Sequence, residues 1–144
     1  MWALYSMIAS ILWGLDYTLT EKVLGKIRFS TLLSIELFFG FLVMLALTLA
    51  SGAYINDVAV LLHSRKTLIY TFLIVLVFNI ANMFIVLSIG NRNATLAGLI
   101  EISYPLFIVA FSWFFFKENN MNVGTVVGGA MIFTGVLLIY LFNK

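Results

Sequence analysis

With 144 residues of which 63% are hydrophobic, 16% aromatic and only 10% charged, the chain lacks the polar surface that coats a water-soluble body; ordinary soluble domains are about 25% charged. A net charge of +2 is too small to signal nucleic-acid binding, and the absence of cysteine excludes a disulfide framework and a thiolate metal site. The mean hydropathy of +1.12 leaves a membrane domain as the class to test.

Five apolar stretches follow one another, at 2–24, 31–49, 67–89, 96–116 and 123–142. Each is near the roughly 20 residues that a helix needs to cross a bilayer. The first has no basic lead segment and no small-residue cleavage pattern, running straight into Trp13, Gly14 and Asp16, so it reads as a retained helix. Connections 25–30, 90–95 and 117–122 are six residues each and force antiparallel neighbours. Connection 50–66 is longer and carries Asp57, an apolar stretch at 58–62, then His63, Arg65 and Lys66. It reads equally as a short helix at the lipid surface or as a bare polar loop. The expected architecture is therefore all-α and integral to the membrane: one domain over 1–144, five transmembrane helices, and termini on opposite sides.

Lys and Arg normally concentrate on the cytoplasmic side. Here the side bearing the N-terminus (the near side) has Arg65, Lys66 and Lys117, and the far side has Lys22, Lys26, Arg28, Arg92 and Lys144. The excess is slight and selects no orientation.

A charged side chain at the centre of a membrane helix costs about 2.5 to 3.5 kcal/mol, so the acids inside the spans require a reason. With about 1.5 Å of rise per residue, Asp16 lies roughly 12 Å from the far end of its span, and Glu36 and Glu101 roughly 7 to 8 Å. Asn82 and Asn79 fall at roughly 10 and 15 Å from the same end. Five polar groups from four helices at similar depth suggest one shared cavity. Glu101 is the strongest candidate. Pro105, four residues on, removes the N–H that would bond the carbonyl of residue 101, so the helix can kink there, with Tyr104 as a nearby aromatic wall and hydroxyl donor. Alternatively, Glu101 is held by the helix dipole or pairs with Arg92. Asp16 has Thr20 one turn on and could instead bond a neighbouring helix; Glu36, behind Ser30, Thr31 and Ser34, is explained well by dipole stabilisation and snorkelling. Asn79 and Asn82 share a face at i, i+3, which suits helix–helix bonding as well as ligand contact. Glu21 and Lys22 read as the wet end of the first helix.

The last span carries Gly124, Gly128 and Gly135 on one stripe, with Gly129 beside them, a spacing that lets helices approach closely within or between protomers. Trp113, Phe114, Phe115 and Phe116 fit an interfacial aromatic belt. No enzyme signature is found. The one histidine, His63, sits in a connection, no glycine-rich phosphate loop occurs, and Asp16 is the only aspartate within a span, so neither catalysis nor a metal site or cofactor is expected.

The run Leu96-Ala97-Gly98-Leu99-Ile100-Glu101-Ile102-Ser103-Tyr104-Pro105-Leu106-Phe107, with Glu118 thirteen residues after Pro105 and Gly128 and Gly135 seven apart, resembles the closing part of an EamA domain of the drug/metabolite transporter superfamily. Trp13-Gly14 is similar to the tryptophan-glycine pair of that family's first helix. Common EamA transporters contain two five-helix repeats in opposite orientations, whereas this chain is similar to one. The resemblance therefore implies a half-transporter, completed by an inverted copy of itself as an antiparallel homodimer, which the balanced Lys and Arg count suits, or by a similar partner as a heterodimer. Inverted repeats hold substrate near the midplane.

The function expected is secondary transport of small organic metabolites by alternating access. With three span acids and no deep basic residue, the pathway is electronegative and favours protons and cationic or zwitterionic solutes, with proton-coupled export at Glu101 and Asp16. The alternatives are a lipid-linked sugar flippase subunit and a non-transporting membrane subunit that docks a partner. The expected location is a bacterial cytoplasmic membrane.

Overall fold

A computed structural model describes residues 1–118 and 121–143. Lys144 of the charge balance, and Asn119 and Asn120 of the last connection, lie outside the described residues. Among the described residues the chain is helical with no strand: α1 (Trp2–Leu24), α2 (Phe29–Ser51), α3 (Tyr54–His63), α4 (Arg65–Asn91), α5 (Ala94–Glu101), α6 (Tyr104–Phe111), a π-helical turn (Ser112–Phe116) and α7 (Val123–Phe142).

The helix ends follow from local chemistry. The oxygens of Ser64, Asn93 and Asn122 accept the amides of Thr67, Leu96 and Thr125, satisfying donors that a helix start leaves unpaired. Gly52 closes α2 at φ +67°, a left-handed conformation that glycine adopts without a Cβ penalty. Connection 50–66 is resolved in favour of a helix: α3 packs against α2 and α4. At Pro105 the fourth apolar stretch divides into α5 and α6, because proline cannot donate the bond that would carry α5 onward. Ile102 and Ser103 bridge the break in near-helical conformation.

Among the described residues four helical segments are long and apolar enough to cross a membrane: Phe29–Ser51, Arg65–Asn91, Ala94–Phe116 and Val123–Phe142. Helix α1 has 23 residues, but Trp2, Tyr5, Ser6, Ser10, Asp16 and Tyr17 dilute its apolar character.

Helix α1 lies against α2, α4 and α5; α5 also meets α4 and α7, and α6 meets α7. The tightly packed zone is small and sits at the C-terminal ends of α1 and α4 and the start of α5. Ile89 (2% exposed), Val86, Ala94, Ala97 and Thr20 are buried there, with Tyr17, Leu24 and Ile85 packed around them. Elsewhere the large apolar side chains of α2, α4 and α7 are exposed along their length, as on a body solvated by lipid.

Candidate functional site

Above this core, α1, α4 and α5 diverge around a groove of about 670 Å³. Helix α1 lines it with Trp13, Gly14 and Tyr17, which share a face at i, i+1 and i+4. Helix α4 adds Phe78 and Asn82, and α5 adds Gly98 and Glu101, with Tyr104 just past the break. Among the described residues no Lys or Arg lines this space.

The half-buried carboxylate of Glu101 is the last residue of α5, where the Pro105 break begins. Its Oε2 accepts the Tyr17 hydroxyl at 2.5 Å. The bond reaches from α1 because α5 has glycine one turn earlier. A Cβ at position 98 would lie 3.4 Å from Tyr17 Cδ2, so the phenol ring rests on the α5 backbone. Trp13 stands beside that ring, with centroids 5.7 Å apart and planes tilted by 57°. One turn further along α1, the Glu21 carboxylate accepts the Ala94 amide at 2.6 Å and the Lys22 ammonium at 3.0 Å. Two carboxylate bonds thus tie α1 to α5 on either side of buried Thr20 and Ala97.

The sequence-derived candidates divide between this groove and other faces. Glu101, Tyr104 and Asn82 line it; Asp16, Glu36 and Asn79 are not among its walls. Asp16 and Glu36 lie on α1 and α2 within electrostatic reach of each other. Both asparagine amides donate to their own helix, Asn79 to Val75 O at 2.8 Å and Asn82 to Phe78 O at 3.0 Å. The Arg92 guanidinium does not hold Glu101; it donates to the Asn143 carbonyl at 2.6 Å, joining the α4–α5 connection to the end of α7. On α7, a Cβ added at Gly128 or Gly135 would meet nothing within 4 Å, and one at Gly124 would meet only the Asn122 cap oxygen. The close approach of helices falls instead at Gly129, where a Cβ would come 3.0 Å from Leu106 Cδ2. Among the described residues no three His, Asp or Glu side chains gather to hold a metal ion.

Tyr17 and Gly98 are the residues that sequence reasoning missed. Their signal was the aromatic pair Trp13 and Tyr17 at i, i+4 facing the small-residue start of α5, which contains Ala94, Ala97 and Gly98.

A carboxylate that accepts a phenol hydroxyl in an apolar, aromatic-walled groove is chemically able to take up a proton or to attract a cation. No curated protein and no solved structure matches the chain. The family model of the EamA-like transporter family matches residues 1–141, nearly the whole chain, at the size of a single half-transporter domain. With its apolar helices, its helix break after Glu101 and this match, the chain is an integral membrane protein that belongs to the EamA-like transporter family of the drug/metabolite transporter superfamily.

Proposed function

We propose that the chain is one half of a secondary transporter that exchanges protons for small cationic or zwitterionic organic solutes. In this reading α1 is a fifth span, the termini lie on opposite sides, and a second copy in the inverted orientation completes the pathway. The observation that supports it most directly is Glu101 half-buried in the groove, faced by Trp13, Tyr17 and Tyr104 with no basic side chain beside it. Ionised, that carboxylate attracts a cation whose apolar body rests on the aromatic faces; protonated, it loses the charge that held the cation and releases it. Alternation between the two occupied states, each open to one side, gives coupled exchange.

The test uses the purified chain in proteoliposomes with ethidium as the probe cation. An imposed pH gradient drives ethidium across in the parent protein, and Glu101→Gln, which still inserts, abolishes the gradient-driven component. Unchanged ethidium movement in Glu101→Gln overturns the site assignment.

A further inference from the structure

A second cavity, of about 450 Å³, lies at the far-side end of the bundle between the α1–α2 turn and the last turn of α4. Its floor is apolar, formed by Leu24, Phe29, Val86 and Leu87, and its rim carries Lys26 and Arg28 with no acidic residue in the wall. Neither basic side chain has a hydrogen-bonded or ionic partner among the described residues; the ion pair found there is Lys22 with Glu21. Helix α2 begins at the same place. Arg28 makes no side-chain cap, and its carbonyl accepts the amides of Thr31 and Leu32, so the amides of Phe29 and Ser30 precede the first intrahelical bond. Two free cations and an uncapped helix start therefore converge over an oily floor, at the depth where the spans end.

We infer that this pocket binds the phosphate of an anionic phospholipid, with an acyl chain descending along Val86 and Leu87. Three features select that ligand. The cations and the helix start are both complementary to phosphate oxygens. The apolar floor offers nothing to a free phosphate and a continuous surface to a chain. A zwitterionic headgroup would bring its own ammonium to a rim already bearing Lys26 and Arg28, with no carboxylate in the wall to receive it. The site is separate from the groove and does not depend on the transport reading.

The experiment is native mass spectrometry of the intact chain released from micelles doped with equal amounts of phosphatidylglycerol and phosphatidylcholine. The unaltered protein retains phosphatidylglycerol in preference. With each basic residue near an anionic lipid contributing about fivefold, Lys26→Gln with Arg28→Gln lowers that retention by roughly 30-fold. Lys66→Gln, a basic residue at the opposite side, leaves it unchanged, and the charge-keeping pair Lys26→Arg with Arg28→Lys restores it. Equal retention of both lipids by the unaltered protein overturns the inference. So does displacement of phosphatidylglycerol by equimolar soluble glycerol phosphate, which would make this a free-anion site, and so does full retention by the double glutamine variant.

Discussion

Replacing Tyr17 by phenylalanine removes one oxygen and leaves the ring against Gly98 and Trp13, so it isolates the bond to Glu101. That bond is short, 2.5 Å between the phenol oxygen and Glu101 Oε2, and it joins residues 84 apart in the chain. A hydrogen bond to a charged group is worth about 1.5 to 3 kcal/mol, whereas side-chain bonds between membrane helices average about 0.6 and reach about 1.7 kcal/mol. The groove admits competing partners to a half-buried carboxyl group, which favours the lower range; the short length favours the upper. The two ranges overlap near 1.5 kcal/mol, or roughly tenfold in an equilibrium constant. A double-mutant cycle measures it: Tyr17→Phe, Glu101→Ala and both together, each unfolded in mixed micelles by increasing dodecyl sulfate. Alanine is needed at 101 because glutamine keeps a carbonyl that accepts the phenol. The expected coupling is about 1 to 1.7 kcal/mol. A coupling inside the additive scatter of about 0.3 to 0.5 kcal/mol refutes the reasoning, because the two side chains would then not meet in the membrane.

Enlarging the glycine under the ring attacks the same bond from the other side: Gly98→Val drives the phenol off α5 at a cost of about 1 to 3 kcal/mol and erases the Tyr17–Glu101 coupling, which the same cycle reads. Glu21→Ala deprives the Ala94 amide of its acceptor, held now at 2.6 Å; the hydrogen exchange of that amide should accelerate while amides deeper in α5 keep their rates. On α7 two neighbouring glycines should behave oppositely. Gly129→Leu meets Leu106 and separates α6 from α7, costing about 1 to 3 kcal/mol, while Gly128→Ala, with nothing within 4 Å of its Cβ, changes dodecyl sulfate resistance little.

Helix extents were legible wherever hydropathy changes abruptly. The first and last apolar stretches coincide with α1 and α7, because Gly25 and Asn122 mark abrupt boundaries. Span 31–49 extends by two residues at each end, to Phe29–Ser51, since Ser30 and Ser51 are tolerated within a helix although they do not extend the apolar run. Position along a helix axis was also legible, because a fixed rise converts residue number into distance along the helix. Azimuth was not. Asp16 and Tyr17 are adjacent in sequence and point about 100° apart, so Tyr17 reaches α5 and Glu101 while Asp16 is not among the groove walls. Which of those directions is a groove depends on where α4 and α5 lie, and no residue of α1 encodes that alone. The aromatic residues compounded the difficulty: nothing in the sequence tells whether Tyr17 faces lipid or a neighbouring helix, and only its contact with Gly98 does so.

The surface area bears on the proposed pairing. A compact monomer of 16.2 kDa would expose about 7,400 Å², and this chain exposes 11602 Å². Lipid covers the outer apolar faces at no cost, but it is a poor solvent for the groove, where an ionisable Glu101 needs water, a cation or protein polar groups. In the proposed pair a second copy supplies that cover only if its own groove-bearing face can meet this one, and inversion about an axis in the membrane plane would achieve it. Such a pair requires that the chain insert both ways up. Arg65, Lys66 and Lys117 on one side against Lys22, Lys26, Arg28, Arg92 and Lys144 on the other are close enough to balance for that. Reporters active on opposite sides of the membrane, fused in turn to the C-terminus, should therefore both give signal in the same cells. Adding two lysines to connection 117–122 should tip the population toward one reporter and abolish ethidium exchange, and coexpression with a variant biased the other way should restore it. A single fixed orientation in the unaltered chain, or full exchange by a population locked one way up, would refute the inverted pair.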